Sequence, residues 1–112
     1  MAAKSLLGQF EHQVLLAILR RGSESYSVEI VLEIEEITGR EVATAAVFVA
    51  LRRLEEKGYL EDRMVTPSEG EGGHARRYFR LTGEAMGALR ESRRNFLGLW
   101  DGVEALLDEP ES

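Results

Sequence analysis

The chain has 112 residues, with 20 acidic and 14 basic side chains and a formal net charge of −6 at pH 7. Its 44% hydrophobic and 30% charged residues are ordinary for a folded domain, which excludes wholesale disorder, and its length suits one domain. The absence of cysteine excludes disulfides, a thiolate nucleophile and cysteine metal sites, and no apolar run is long enough for a membrane span.

Two helices are predicted in the first forty residues. Apolar residues recur at helical spacing and predict a helix over residues 5–21, with Ser5 as its cap. Residues 23–27 form a polar link. A second apolar run begins at Val28 and predicts a helix that Gly39 ends.

The third helix is predicted over residues 44–57, with Gly58 as its stop signal. One stripe of this helix is apolar and predicts a face that packs on the core: Val47, Ala50, Leu51 and Leu54. The remaining side chains, which include an aromatic ring and two arginines, lie off that stripe: Ala45, Phe48, Val49, Arg52 and Arg53.

A β-hairpin and a long helix are predicted in the second half. Residues 59–65 and 76–81 have strand-like composition, and the turn-rich segment 66–73 separates them. Thr82 is the expected cap of a final helix over residues 83–107, about 37 Å long. Its side chains alternate in steps of three and four, as in a coiled-coil seam: Met86, Leu89, Arg93, Phe96, Trp100, Val103 and Leu107. Such a stripe requires either a second copy of the helix or contact with the first helix.

The net charge is unevenly distributed along the chain. Residues 1–39 carry −3 and residues 81–112 carry −4, whereas residues 40–80 carry +1 and eight of the fourteen basic side chains. The total of −6 disfavours a nucleic-acid partner, because phosphates need basic neighbours. The basic middle third, interleaved with aromatic and glycine residues, favours a local phosphate-binding face. Scattered, solvated charges are the alternative.

Three helices followed by a hairpin predict a winged helix-turn-helix, so the fold class is mostly α with a small β-hairpin and a long C-terminal dimerisation helix. We expect a DNA-binding domain over residues 1–81 and a dimerisation helix with an acidic tail over residues 82–112. In this fold the third helix enters the major groove and the hairpin lies against the DNA backbone. The candidate DNA-binding residues are Ser25, Ser27, Thr44, Ala45, Phe48, Arg52, Arg53, Arg76 and Arg77.

Several segments together resemble the PadR family of transcriptional regulators, over roughly residues 5–105. The matching segments are LGQFE at 7–11, VLLAIL at 14–19, YSVEI at 26–30, TGREV at 38–42, LRRLEEKGYL at 51–60 and GGHARRYFRLT at 72–82. The LRRLEEKG turn occurs in many winged helices, but its combination with the YFRLT strand and one terminal helix is more specific.

The resemblance implies a cytoplasmic, homodimeric repressor that binds a palindromic operator in double-stranded DNA. It also implies, for the short subfamily with one C-terminal helix, an apolar pocket at the dimer centre where a tryptophan stacks on planar aromatic ligands. Trp100 stands at that place. The residues that the resemblance assigns to the dimer and ligand pocket are Met86, Leu89, Phe96, Trp100 and Val103.

The sequence departs from the family pattern at three positions. Ala43 replaces a small hydroxyl residue, Phe48 replaces a tyrosine and Ser27 replaces a glycine. Each lost polar contact weakens binding by about 1 kcal/mol. These departures and the net acidity support an alternative, a winged-helix module for protein–protein contact. The sequence contains no arrangement typical of an enzyme and none of a metal site, so neither activity nor a cofactor is expected.

Overall fold

The computed structural model describes residues 7–67 and 73–108. The elements run in the order α1 (Gln9–Arg20), β1 (Glu24–Tyr26), α2 (Ser27–Thr38), α3 (Thr44–Glu56), β2 (Leu60–Val65), β3 (Arg76–Leu81), α4 (Gly83–Trp100) and α5 (Glu104–Leu107). This is the mostly helical winged arrangement that the element order predicts. None of the described helices is both long and apolar enough to cross a membrane.

The first three helices pack their apolar stripes against one another and against the sheet. Because each stripe recurs at helical spacing, one side of every helix can be removed from water. The buried apolar side chains are Val14, Leu15, Ala17 and Ile18 of α1, Ile30 and Ile34 of α2, Val47, Ala50, Leu51 and Leu54 of α3, Leu60, Phe79 and Leu81 of the sheet, and Ala85 and Leu89 of α4. The four core residues predicted on the third helix are all among them.

Local signals in the sequence fix most helix ends. α2 ends at Gly39, which adopts a left-handed conformation (φ +72°) and donates its N–H to the Glu35 carbonyl oxygen at 2.8 Å. The Thr82 hydroxyl accepts a hydrogen bond from the Ala85 N–H, as expected of a helix cap. The first helix begins at Gln9, later than predicted, and the proposed cap Ser5 lies outside the described residues.

The sheet has one strand more than predicted. The segment expected to be a polar link contains β1, which pairs antiparallel with β3, so the strand order is β1-β3-β2. Glu24, Ser25 and Tyr26 lie opposite Arg80, Phe79 and Tyr78 respectively. The β2–β3 hairpin is therefore hydrogen-bonded to β1, and α2 follows β1 without a break.

The last helix is shorter than predicted. α4 ends at Trp100, so it has 18 residues rather than about 25 and is about 27 Å long. Gly102 has φ +81°, a left-handed conformation that interrupts the helical hydrogen bonds, and the four-residue helix α5 follows. Val103, expected on the seam, consequently lies in the turn between the two helices.

Candidate nucleic-acid interface

The outer face of α3 carries the predicted recognition residues. Thr44 and Ala45 are exposed at its start, and Phe48 on the next turn is 53% exposed. The preceding residue, Ala43, is the N-cap but offers no side-chain acceptor to the first amides of the helix. Phe48 therefore projects into solvent and is not part of the core.

Arg52 and Arg53 extend this outer face toward the end of α3. Both are exposed, and within the described part of the chain neither contacts a carboxylate. Glu55, on the same helix, instead contacts Arg77 at 3.5 Å. The guanidinium donors of Arg52 and Arg53 are directed to solvent and can bind phosphate or base edges.

The two serines at the start of α2 differ in exposure. Ser25 is fully buried, and its hydroxyl donates to the Glu29 carboxylate at 3.0 Å. Its side chain is thus unable to reach a phosphate, contrary to the prediction that Ser25 contacts DNA. The burial follows from strand pairing, because Ser25 lies opposite the core residue Phe79. Ser27 is half-buried as the first residue of α2.

Arg76 and Arg77, adjacent on β3, have different environments because neighbouring strand residues point to opposite faces of the sheet. Arg77 lies on the face of Phe79, where it donates to Asp62 and contacts Glu55. This guanidinium holds the pKa of Asp62 below its ordinary value, while burial raises the pKa of Glu55. Arg76 lies on the opposite face, with its guanidinium carbon 4.6 Å from the centre of the Tyr26 ring.

Two further wing arginines are neutralised by acids on the outward face of the sheet. Arg63 donates twice to Glu24, at 2.8 and 2.6 Å, and this contact lowers the pKa of Glu24. Arg80 donates to Glu61 at 2.6 Å. Tyr26 is in contact with both Arg76 and Tyr78 on this face. The strand pairing brings these residues together, and a segment as short as β1 gives little local signal for it.

The basic side chains of the middle third therefore divide into two groups. In the described residues four of the eight have a carboxylate partner: Lys57, Arg63, Arg77 and Arg80. The other four have none: Arg40, Arg52, Arg53 and Arg76. The cations that remain available to DNA lie on or before α3 and at the wing.

A groove of about 510 Å³ lies between α1 and α4, where the dimer and ligand residues were expected. Phe96 and Trp100 line it and are 54% and 42% exposed, and the His12 ring stacks on Phe96 with centroids 6.3 Å apart. Burial of the His12 imidazole lowers its pKa. The remaining lining residues are Leu16, Leu19, Met86, Leu89, Arg90, Arg93 and Leu97.

The five residues predicted for the dimer and ligand pocket do not form one set. Met86, Phe96 and Trp100 line the groove between α1 and α4. Leu89 reaches the edge of the groove but is only 6% exposed, because its side chain is part of the domain core. Val103 does not line the groove, because the helix ends three residues before it.

Comparison with known proteins gives consistent results. The sequence profile of the transcriptional regulator PadR-like family matches residues 15–91. A PadR family transcriptional regulator from Eggerthella lenta DSM 2243 is 27% identical, with a TM-score of 0.64 over 87% of this chain and 82% of that one. No curated protein matches the sequence significantly.

Two more distant structures share the fold. A PadR family transcription regulator from Clostridium difficile R20291 is 20% identical, with a TM-score of 0.67 over 86% of this chain and 97% of that one. F93 from STIV, described as a winged-helix DNA-binding protein, is 14% identical, with a TM-score of 0.65 over 81% of this chain and 90% of that one.

Proposed function

The chain belongs to the PadR-like family of transcriptional regulators, and from this premise we propose that it is a homodimeric repressor of transcription. Its partner would be a palindromic operator in double-stranded DNA, and the family resemblance favours the cytoplasm as its location. The observation that carries the proposal is that Arg52 and Arg53, on the solvent face of α3, have no carboxylate partner among the described residues. In a chain with so many acidic residues, two adjacent arginines without a carboxylate partner favour an external anion.

The geometry of α3 suits the major groove. The helix has 13 residues, and only the stripe that contains Val47, Leu51 and Leu54 is buried. An α-helix fits the major groove, which is about 12 Å wide. Thr44, Ala45 and Phe48 would approach the DNA together with the two arginines, because they lie on the exposed side of the same helix. Arg76 would contact the backbone from the wing.

A second copy of the chain would cover the apolar side chains that α4 leaves in solvent. Leu97 and Leu99 are 61% and 74% exposed, and Phe96 and Trp100 are also open. In this proposal residues 82–112 form the dimerisation segment, although Ala85 and Leu89 also belong to the core of the DNA-binding unit. A two-fold dimer would present two α3 helices to half-sites about 34 Å apart.

The groove between α1 and α4 would be the site of regulation by a small planar aromatic ligand. Its volume of about 510 Å³ is within the range of small-molecule sites, and the rings of Phe96 and Trp100 offer flat apolar contacts. A ligand would relieve repression by binding one orientation of the α4 helices better than the other, because only differential affinity shifts an equilibrium. Quenching of Trp100 fluorescence measures ligand binding in this groove. The absence of quenching by a panel of planar aromatic compounds would contradict a ligand site here.

The experiment that tests DNA binding measures the affinity of the purified protein for its own promoter DNA at low salt. The double variant Arg52→Ala/Arg76→Ala removes two unpaired cations, and we expect it to bind at least tenfold more weakly. Arg20→Ala is the matched control, because Arg20 is an exposed arginine that already contacts Glu33 at 3.0 Å. Equal binding by the wild type and the double variant would contradict the proposal.

The alternative is a winged-helix module for protein–protein contact. The carboxylate partners of Lys57, Arg63, Arg77 and Arg80 favour it, because they reduce the positive charge of the middle third. A protein without salt-dependent affinity for any DNA, but with a stable protein partner, would support this alternative. A salt-dependent preference for the promoter fragment over unrelated DNA of equal length would exclude it.

A further inference from the structure

The outward face of the sheet carries a stack of aromatic and guanidinium groups. Tyr26 on β1 lies opposite Tyr78 on β3, and their rings meet edge to face with centroids 5.2 Å apart and an interplanar angle of 61°. The guanidinium carbon of Arg76 lies over the Tyr26 ring of this pair, 4.6 Å from its centre. Arg76 is the first residue of β3, and Tyr26 immediately precedes α2, so the stack connects the wing to the start of α2.

Stacking leaves the hydrogen-bonding capacity of Arg76 unused. A guanidinium contacts an aromatic ring through its flat face, whereas its five N–H donors lie in the plane and point outward from its edges. Arg76 is exposed and has no carboxylate partner among the described residues. Its position is therefore restricted by the ring while its donors remain open to a phosphate, which a guanidinium binds through two parallel hydrogen bonds.

The other wing arginines differ from Arg76 in this respect. Arg63 also lies near a ring, 6.0 Å from the centre of Tyr78, but its donors are committed to Glu24. Arg77 lies 5.4 Å from the centre of the Phe79 ring and donates to Asp62. Within the described part of the wing, Arg76 alone combines an aromatic support with unpaired donors.

We infer that Tyr26 is a positioning residue for DNA binding: its ring holds the Arg76 guanidinium so that it grips one backbone phosphate beside the start of α2. The inference rests on the proposed function, since it requires that the protein bind DNA. It adds a residue that touches no DNA itself and acts through another side chain. An arginine that is already restricted loses less side-chain entropy on binding, which is how the ring increases affinity.

The test measures affinity for the promoter DNA over a series of salt concentrations. Tyr26→Phe keeps the ring, and we expect affinity within twofold of wild type. Tyr26→Leu removes the ring, and we expect binding to weaken about threefold to tenfold, with a salt slope smaller by about one. Arg76→Ala should reduce the salt slope by the same amount. The double variant Tyr26→Leu/Arg76→Ala should bind no more weakly than Arg76→Ala alone, because the two changes remove the same phosphate contact.

Arg80→Ala is the matched control, because it removes an arginine from the same strand and the same face whose guanidinium already donates to Glu61 at 2.6 Å. We expect its salt slope to remain that of the wild type. Thermal unfolding checks the fold of each variant. Should Tyr26→Leu not fold, Arg76→Lys tests the same contact from the exposed side. Arg76→Lys keeps the charge but loses the flat group that stacks on the ring. We expect it to weaken DNA binding about threefold to tenfold, as for Tyr26→Leu.

Two results would overturn the inference while leaving DNA binding intact. One is a Tyr26→Leu variant that folds and keeps the affinity and salt slope of the wild type. The other is an equal loss of affinity in Tyr26→Phe and Tyr26→Leu, which would make the hydroxyl and not the ring the important group. A wild-type protein that binds no DNA at any salt concentration would instead contradict the proposed function itself.

Discussion

Lys57, at the end of α3, binds both carboxylate oxygens of Glu11 on α1, with each N–O distance at 3.0 Å. Glu11 is buried, and one of its oxygens also accepts a hydrogen bond from the Gly8 N–H at 2.9 Å. The C-terminal end of α3, far along the helix from Thr44, is therefore fixed to α1 by a partly buried ion pair.

Removal of the Glu11 charge should lower the stability of the domain. Glu11→Gln keeps an oxygen for the Gly8 N–H but removes the charge that attracts the partly buried Lys57 ammonium. We expect a loss of about 1–3 kcal/mol in the free energy of unfolding, below the range for a fully buried pair because Lys57 is partly exposed. Urea unfolding measures it, with the exposed Glu36→Gln as control. Equal midpoints for the two variants would contradict a structural role for the pair.

A hydroxyl at position 43 should stabilise α3. Ala43 is the N-cap in an extended conformation (φ −69°, ψ 129°) and offers no side-chain acceptor to the first amides. Ala43→Ser supplies that acceptor without backbone change, so we expect a gain of about 1 kcal/mol. Urea unfolding again measures it, and Ala45→Ser, the same change inside the helix, should be neutral or destabilising. No gain in Ala43→Ser would mean that water already satisfies these amides.

A hydroxyl on the exposed ring of α3 should strengthen DNA binding. Phe48 is 53% exposed on the same face as Arg52. Phe48→Tyr adds one donor at the proposed interface, and we expect about threefold to tenfold tighter binding to the promoter DNA with unchanged thermal stability. Affinity measured at two salt concentrations tests this. Unchanged affinity at both would show that position 48 does not approach the DNA.

A charge on the exposed face of α4 should prevent dimerisation. Leu97 is 61% exposed, so Leu97→Asp removes little core packing, but it would bury a carboxylate in the proposed interface. Sedimentation should give about twice the 12.6 kDa chain mass for wild type and the single mass for the variant. Leu32→Asp on α2 is the control, since Leu32 is 52% exposed and lies outside that face. A dimeric Leu97→Asp variant would contradict the proposed interface.

The wing should lose stability in acid. The hydrogen bond from Arg77 holds the pKa of Asp62 below its ordinary value of 3.8, so the charged form is favoured in the folded state. Its contribution is complete above that value and is lost as pH falls through the lowered pKa. Thermal midpoints between about pH 5 and pH 3 should therefore fall less steeply for Asp62→Asn than for wild type. Parallel curves would show that this carboxylate is not coupled to folding.

Local sequence signals predict the helical part of this fold well. Gly39, Gly58 and Thr82 mark helix ends through backbone conformation or a side-chain hydrogen bond, and each acts within a few residues. The apolar spacing of α3 likewise separates Val47 from Phe48, because helical geometry alone decides which side faces the core.

Contacts between distant segments are what the sequence pattern does not reveal. β1 has only three residues and forms because β3 offers it a free edge. The same pairing buries Ser25 and places Tyr26 under Arg76, while the pairing of β2 with β3 leaves Arg77 beside Asp62. Two adjacent arginines with the same local sequence context thus acquire different partners, since the strand register places Arg76 over the Tyr26 ring and Arg77 beside Asp62.

The break at Gly102 makes the two parts of the C-terminal segment differ in their tolerance of insertions. One residue added within the turn after Trp100 would reorient only α5, which has no buried residue among those described. One residue added between Leu89 and Phe96 would rotate the rest of α4 by about 100° about its axis. Phe96 would then leave His12, and Trp100 would turn away from the groove. Natural variation in length is therefore expected to accumulate after residue 100 and to be rare in the helix before it.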